Sequence, residues 1–189
     1  ILVEGTDYTV TYSNNINAGV ASVVITGKGD YTGSITKKFI IGKAESVCTI
    51  STIPSLEYAK NVTGNVVYNC TGDGKVSLVS SDENLIEVGE ITNTNIKITA
   101  LKNGTGTITL KQAEGANYKK SNEVTKDISV GLSSYTVNVV VQNGTVDTAS
   151  KSIKYGANTT FTISSSTGYG SPTVSCTNSQ SASISGSTL

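Results

Sequence analysis

Short stretches in which apolar and polar residues alternate with a period of two, punctuated by glycine, asparagine and aspartate, run along most of this chain. They include YTVTYS (Tyr8 to Ser13), ITKKFII (Ile35 to Ile41), GNVVYNC (Gly64 to Cys70), NIKITAL (Asn95 to Leu101), GTITL (Gly106 to Leu110), YTVNVVV (Tyr135 to Val141) and TTFTIS (Thr159 to Ser164). A period of two turns one face of an extended segment to a core and the other to water, and Val, Ile, Thr and Tyr suit that pleated surface. Between these stretches, GKGDYTG, TGDG, KNG, EGAN and QNG supply the residues that accept positive φ and tight reversals. No apolar stripe of helical period reaches helical length. Short strands spaced by about 8 to 12 residues predict an all-β chain, folded as antiparallel sandwiches or barrels.

One outline occurs twice. NAGVASVVITGKGDYTGSITKKFIIG (Asn17 to Gly42) and KNGTGTITLKQAEGANYKKSNEVTKDISVG (Lys102 to Gly131) both place a glycine after a small residue or asparagine at the start of an apolar strand. Each continues through a glycine turn, a tyrosine (Tyr31 or Tyr118), a polar stretch and a strand ending in glycine. The end glycines are about 90 residues apart, the size of one immunoglobulin-like sandwich. A repeat of that length is a domain rather than a solenoid unit. Each copy reads as the closing hairpin of its own sandwich.

Composition narrows the chemistry. The 189 residues contain no His, Met or Trp, and all 14 basic residues are Lys. Without His the commonest general base and metal ligand is missing, and without Arg so is the fork that reads phosphate and guanine. Both catalysis and nucleic-acid binding are disfavoured. No apolar run approaches the roughly 20 residues that span a bilayer as a helix. The opening ILVEGTDYTV has no basic region followed by an apolar core and enters in mid-pattern, so a piece of a longer polypeptide is expected.

The motifs that resemble chemical sites have plainer readings. TGDGK (Thr71 to Lys75) and SSDEN (Ser80 to Asn84) place carboxylates in loops, but calcium wants six to eight oxygens and neither has an alternating array of acids. GKGDYTG lies between two strands, not at the strand-to-helix junction a phosphate loop needs. A Lys–Asn isopeptide bond finds no pair that the sequence selects. The tyrosines read as core edges and hairpin covers, among them Tyr12, Tyr31, Tyr68 and Tyr118, rather than as a sugar platform.

Three segments resemble known repeats. LVEGTDYTVTYSNNINAGVASVVITGKGDYTGSITKKFII is similar to the C-terminal part of an immunoglobulin-like repeat of secreted and surface proteins of Firmicutes bacteria. VSLVSSDENLIEV followed by IKITALKNGTGTITL resembles the bacterial immunoglobulin-like group 2 family. YTVNVVVQNGTVDTASKSIKYGANTTFTISSSTGYGSPTVSCTNSQSASISGSTL resembles a third repeat type of bacterial surface proteins. The resemblance implies tandem immunoglobulin-like β-sandwich modules with the first and last incomplete. Residues 1–43 would be the C-terminal part of one repeat, residues 44–131 a complete group 2-like domain, and residues 132–189 the N-terminal part of a further β-repeat domain. Neighbouring modules or chains would complete the terminal half-domains, whose apolar faces and strand edges are otherwise bare.

On the same resemblance Cys48 lies on the first strand of the middle domain and Cys70 on the second, within reach of a disulfide. The other reading is two small buried hydrophobes. An extracellular setting permits the bond. Cys176 is left unpaired, with its partner expected in the continuation of the third repeat, and three cysteines without His disfavour zinc.

The expected function is that of a non-catalytic stalk or adhesion module of a bacterial extracellular or cell-surface protein, with no catalytic residue, cofactor or metal. Its ligand would be a surface partner such as a glycan or a host protein, with no nucleic acid and no membrane insertion in this segment. Two alternatives are an immunoglobulin-like decoration or fibre module of a bacteriophage virion that binds host glycans, and an accessory module of a secreted glycan-degrading enzyme.

Overall fold

A computed structural model describes residues 1–60, 62–171 and 173–175. Among the described residues it is all β, with no helix. The chain divides into two compact units, Ile1–Gly131 and Leu132–Leu189.

The first unit opens with β1 (Tyr8–Ser13), β2 (Gly19–Gly27) and β3 (Ser34–Ile41), an antiparallel meander in the order β1-β2-β3. In register, Val10 opposes Ile25 and Ile25 opposes Ile35, while Tyr12 opposes Val23 and Val23 opposes Lys37. Strand alternation therefore collects Val10, Tyr12, Val23, Ile25, Ile35 and Phe39 on one face. Thr9, Thr11, Ser22, Thr36 and Lys38 fall on the other, together with Val20, Val24 and Ile40.

Eight further strands build a sandwich. They are β4 (Cys48–Thr52), β5 (Leu56–Tyr58), β6 (Thr63–Cys70), β7 (Val76–Ser80), β8 (Ile86–Ile91), β9 (Asn95–Ala100), β10 (Gly104–Gln112) and β11 (Val124–Leu132). One sheet has the order β4-β6-β9-β8 and the other β5-β11-β10-β7. Taking β4, β6, β7, β8, β9, β10 and β11 as strands A to G gives the ABED and CFG sheets of an immunoglobulin-type sandwich, with β5 added beside β11. Inward positions follow the period of two. Ile96, Ile98 and Ala100 of β9 and Val66 and Tyr68 of β6 meet Ile108 and Leu110 of β10 and Ile128 and Val130 of β11. Leu85, just before β8, closes the core.

Both copies of the repeated outline are hairpins, β2–β3 and β10–β11. Each begins on a glycine at positive φ, +137° at Gly19 and +149° at Gly104, a conformation L side chains rarely adopt. Two of the four tyrosines depart from the sequence reading. Tyr68 is buried and Tyr118 half-buried, but Tyr12, on β1, and Tyr31, in the β2–β3 turn, are exposed.

The second unit contains two antiparallel ladders. β12 (Ser134–Asn138) pairs with β14 (Ser150–Lys154), and β13 (Gly144–Val146) pairs with β15 (Ile163–Ser165). The rings of Tyr135 and Tyr155 lie 6.4 Å apart. The strand expected over Thr159 to Ser164 begins only at Ile163. Ahead of it, the Thr162 N–H donates to the Asp147 carboxylate at 3.1 Å, and Phe161 lies under the Lys151 ammonium at 4.8 Å. Cys176 lies outside the described residues.

Candidate functional site

The densest polar constellation lies at one end of the sandwich, where the β6–β7 turn, the β10–β11 loop and the entry to β4 converge. Its centre is Gln112. On β10 the inward series Ile108, Leu110, Gln112 ends in an amide that is only 5% exposed. The turn at residues 71–75 folds back over it. The Gln112 carbonyl accepts from the Ser46 hydroxyl at 2.8 Å and from the Gly72 N–H at 3.0 Å. Its NH₂ donates to the Gly72 carbonyl at 3.0 Å and the Gly74 carbonyl at 2.8 Å. Both lone pairs and both protons are used, so the buried amide carries no desolvation penalty for an unmet group. The close fit also dictates a residue type, since a Cβ on Gly74 would sit 1.9 Å from the Ala113 carbonyl oxygen.

A second set of contacts fastens the three-stranded sheet to this end. Asn117 donates its N–H to the Asp73 carboxylate at 2.8 Å, and its side-chain oxygen accepts the Ala18 N–H at 2.8 Å. Its backbone carbonyl accepts the Ala44 N–H at 2.9 Å, and the Lys119 N–H donates to the Ala44 carbonyl at 2.9 Å. Lys43, between β3 and β4, pairs with Glu114 and donates to the Gly115 carbonyl at 2.8 Å. Lys119 pairs with Glu45. The hydrogen-bonded Lys43 ammonium holds the Glu114 carboxyl below its usual range, and the hydrogen bond to Glu45 raises the Lys119 ammonium.

The third element is the join between β4 and β6. Cys48 and Cys70 are disulfide-bonded, and Cys48 is buried at 1% exposure. Asn122, from the β10–β11 loop, accepts the Cys48 N–H at 3.0 Å and donates to the Cys48 carbonyl at 3.3 Å. A neighbouring strand would occupy those same two backbone groups.

Beside this end an open cleft of about 500 Å³ is lined by Tyr68, Cys70, Asp73, Lys75, Ile91 and Asn93. Asp73 is engaged with Asn117, and the Tyr68 hydroxyl donates to the Thr92 carbonyl at 2.6 Å. Burial raises the Tyr68 phenol above its usual range.

The sequence motifs take structural places. TGDGK is the turn clasped by Gln112. In SSDEN, Asp82 caps its own turn by accepting the Asn84 N–H at 2.9 Å and pairs with Lys102 at 2.9 Å. In GKGDYTG, the Gly27 N–H donates to the Gly33 carbonyl at 2.9 Å, closing a reversal. Among the described residues no three His, Cys, Asp or Glu side chains converge as a metal site would require. Sequence reasoning passed over Gln112, Asn117 and Asn122. For Gln112 a signal was present, since it continues the inward period of Ile108 and Leu110.

No family model matches the chain, and no curated protein matches it. Among solved structures it is similar to domains 4 and 5 of the S-layer protein SbsC, at 23% identity over 67% of this chain and 78% of that one, with a TM-score of 0.35.

Proposed function

We propose that this chain is a non-catalytic stalk and adhesion module of a bacterial extracellular or cell-surface protein, built to hold a binding partner away from the surface. The observation that carries this reading is the junction at Asn117. Asn117 accepts hydrogen bonds from the Ala18 and Ala44 N–H groups and donates its own N–H to Asp73, and the Lys43–Glu114 pair adds to them. A spacer must transmit position from one module to the next, and a linker hydrogen-bonded along its length does so where a free one would not. The Cys48–Cys70 bond suits an oxidising, extracellular setting. The partner is a surface ligand such as a glycan or a host protein, met through loops at the sandwich ends.

The test is a distance distribution between probes placed at Thr11, on the three-stranded sheet, and Lys126, on the sandwich. A narrow distribution that broadens in the Lys43→Ala/Asn117→Ala double variant supports a strut. A wild-type distribution as broad as that of a flexible linker overturns it. A glycan array and binding to intact cells then address the adhesive half.

A further inference from the structure

We propose that the free edge of β7 is a docking site for an extended segment of a partner protein, which adds to the sheet as a strand and sets an apolar–acidic–apolar run of side chains beside Val76, Ser77 and Leu78. Among the described residues the sandwich has four edge strands, and all but β7 are protected. On β4 the register shifts between Ile50 and Thr52, and Asn122 occupies the outer groups of Cys48. Strand β5 is only three residues long and includes Glu57. Strand β8 carries Glu87, Glu90 and a register shift between Val88 and Ile91. None of these devices is present on β7, where VSLVS is uncharged, lacks proline and pairs with β10 over five residues without a shift.

Register fixes which backbone groups β7 leaves open. The Ala113 N–H donates to the Lys75 carbonyl and the Ser81 N–H to the Thr107 carbonyl, both at 2.9 Å. Antiparallel pairs alternate, so Ser77 and Val79 also face β10, and the N–H and C=O groups of Val76, Leu78 and Ser80 turn away from it. Among the described residues nothing pairs with those groups. Their complement is another extended backbone.

The surroundings choose the side chains. Residues directly opposite on paired strands share a face, so the partner residue beside Val76 points toward the open cleft of about 500 Å³. Lys75 and Val76 line that cleft from β7, and Tyr68, Ile91 and Asn93 line it from the other sheet and its β8–β9 turn. An apolar side chain there, and another beside Leu78, would extend the core. The partner residue between them, opposite Ser77, points to the outer face, diagonal to Lys75. Lys75 is exposed and pairs with no acid among the described residues, so a carboxylate at that place meets a cation. The site lies on the flank of the eight-stranded sandwich and is independent of the surface role proposed above.

The probe is a peptide of about seven residues with valine, glutamate and valine at its centre and serine and threonine around them, titrated to about 2 mM into the isotope-labelled full chain and followed by NMR. The amides of Val76 and Leu78 should shift and gain protection from exchange, with a Kd between about 10 µM and 1 mM. Val76→Pro removes one outward N–H at a place where an edge strand tolerates proline, and should weaken binding at least about tenfold. Lys75→Glu should weaken it severalfold and turn the preference toward a peptide with lysine in place of glutamate. Ser129→Lys, two strands away on β11, should leave it unchanged. No shift at the highest concentration overturns the proposal, as do shifts that map elsewhere, or binding indifferent to both β7 variants. So does a peptide-free chain that sediments above 19.5 kDa through this edge, since a second copy would then be its occupant. Circular dichroism reports folding, and if Val76→Pro does not fold, the exposed Lys75→Glu with the two peptides decides.

Discussion

Cys48 and Cys70 stand directly opposite each other across β4 and β6 and are covalently joined, while Asn122 holds the outer backbone of Cys48 from the other side. Strand β4 is the edge of its sheet, so it is fixed on one flank by a disulfide and on the other by a side-chain amide.

The bond spans 22 residues. In the chain-entropy view a closed loop of this size stabilises by roughly 3 kcal/mol. Urea unfolding in the presence of reductant is expected to show that loss. Under force, reduction should lengthen the extension released by the sandwich by about 75 Å, because residues between Cys48 and Cys70 otherwise stay bypassed. Equal extension with and without reductant would count against the bond.

Gln112→Ala removes an amide that satisfies Ser46, Gly72 and Gly74. The groups left behind are buried or half-buried, and each unmet one costs about 1–3 kcal/mol unless water reaches it. A total loss of about 2–4 kcal/mol is expected. Amide exchange at residues 71–75 should rise more than in the β9–β10 core.

Two glycine variants separate close approach from open space. Gly74→Ala drives a methyl into the backbone of Ala113 and should cost about 2–4 kcal/mol or prevent folding. At Gly42 nothing lies within 4 Å, so Gly42→Ala should be within about 0.5 kcal/mol of wild type. Melting temperatures of the pair read the difference.

Stability should be level between about pH 5 and pH 9, since the chain has no His to titrate near neutrality. Glu114, Asp82 and Asp147 are lowered by hydrogen-bonded Lys43, Lys102 and Lys151. Their contribution is present above the ordinary carboxylate range and is lost as pH falls through their lowered values. At the alkaline end Tyr68 and Lys119 are raised, so their contribution is complete below the ordinary Tyr and Lys ranges and is lost as pH rises through the raised values. Thermal melts across pH test both limbs. About 1 M salt should flatten the acid limb, because those carboxylates are exposed.

How far the fold could be read from sequence depended on whether the signal was local. Ile96, Ile98 and Ala100 announce β9 by spacing alone, and the repeated outline located both hairpins. The burial of Gln112 needs a turn some forty residues away to fold back over it, a contact no window of sequence contains. Tyr12 shows a different limit. Alternation tells which face of β1 is apolar, but not whether another layer lies over it. For Cys48 and Cys70 the sequence put a bond only slightly ahead of two buried thiols, and strand register places the two side by side. Asn122 sits in a polar loop among residues of like composition, with nothing local to mark it out.

The amide of Asn122 also bears on crowding. Look-alike sandwiches strung on one thread meet at very high local concentration, and a vacant rail of N–H and C=O groups would recruit a strand from the next bead. At Cys48 that berth is already taken by a side chain too short to propagate a sheet. In a tandem array of the kind proposed above, such a plug would keep neighbouring units from fusing into a continuous ribbon.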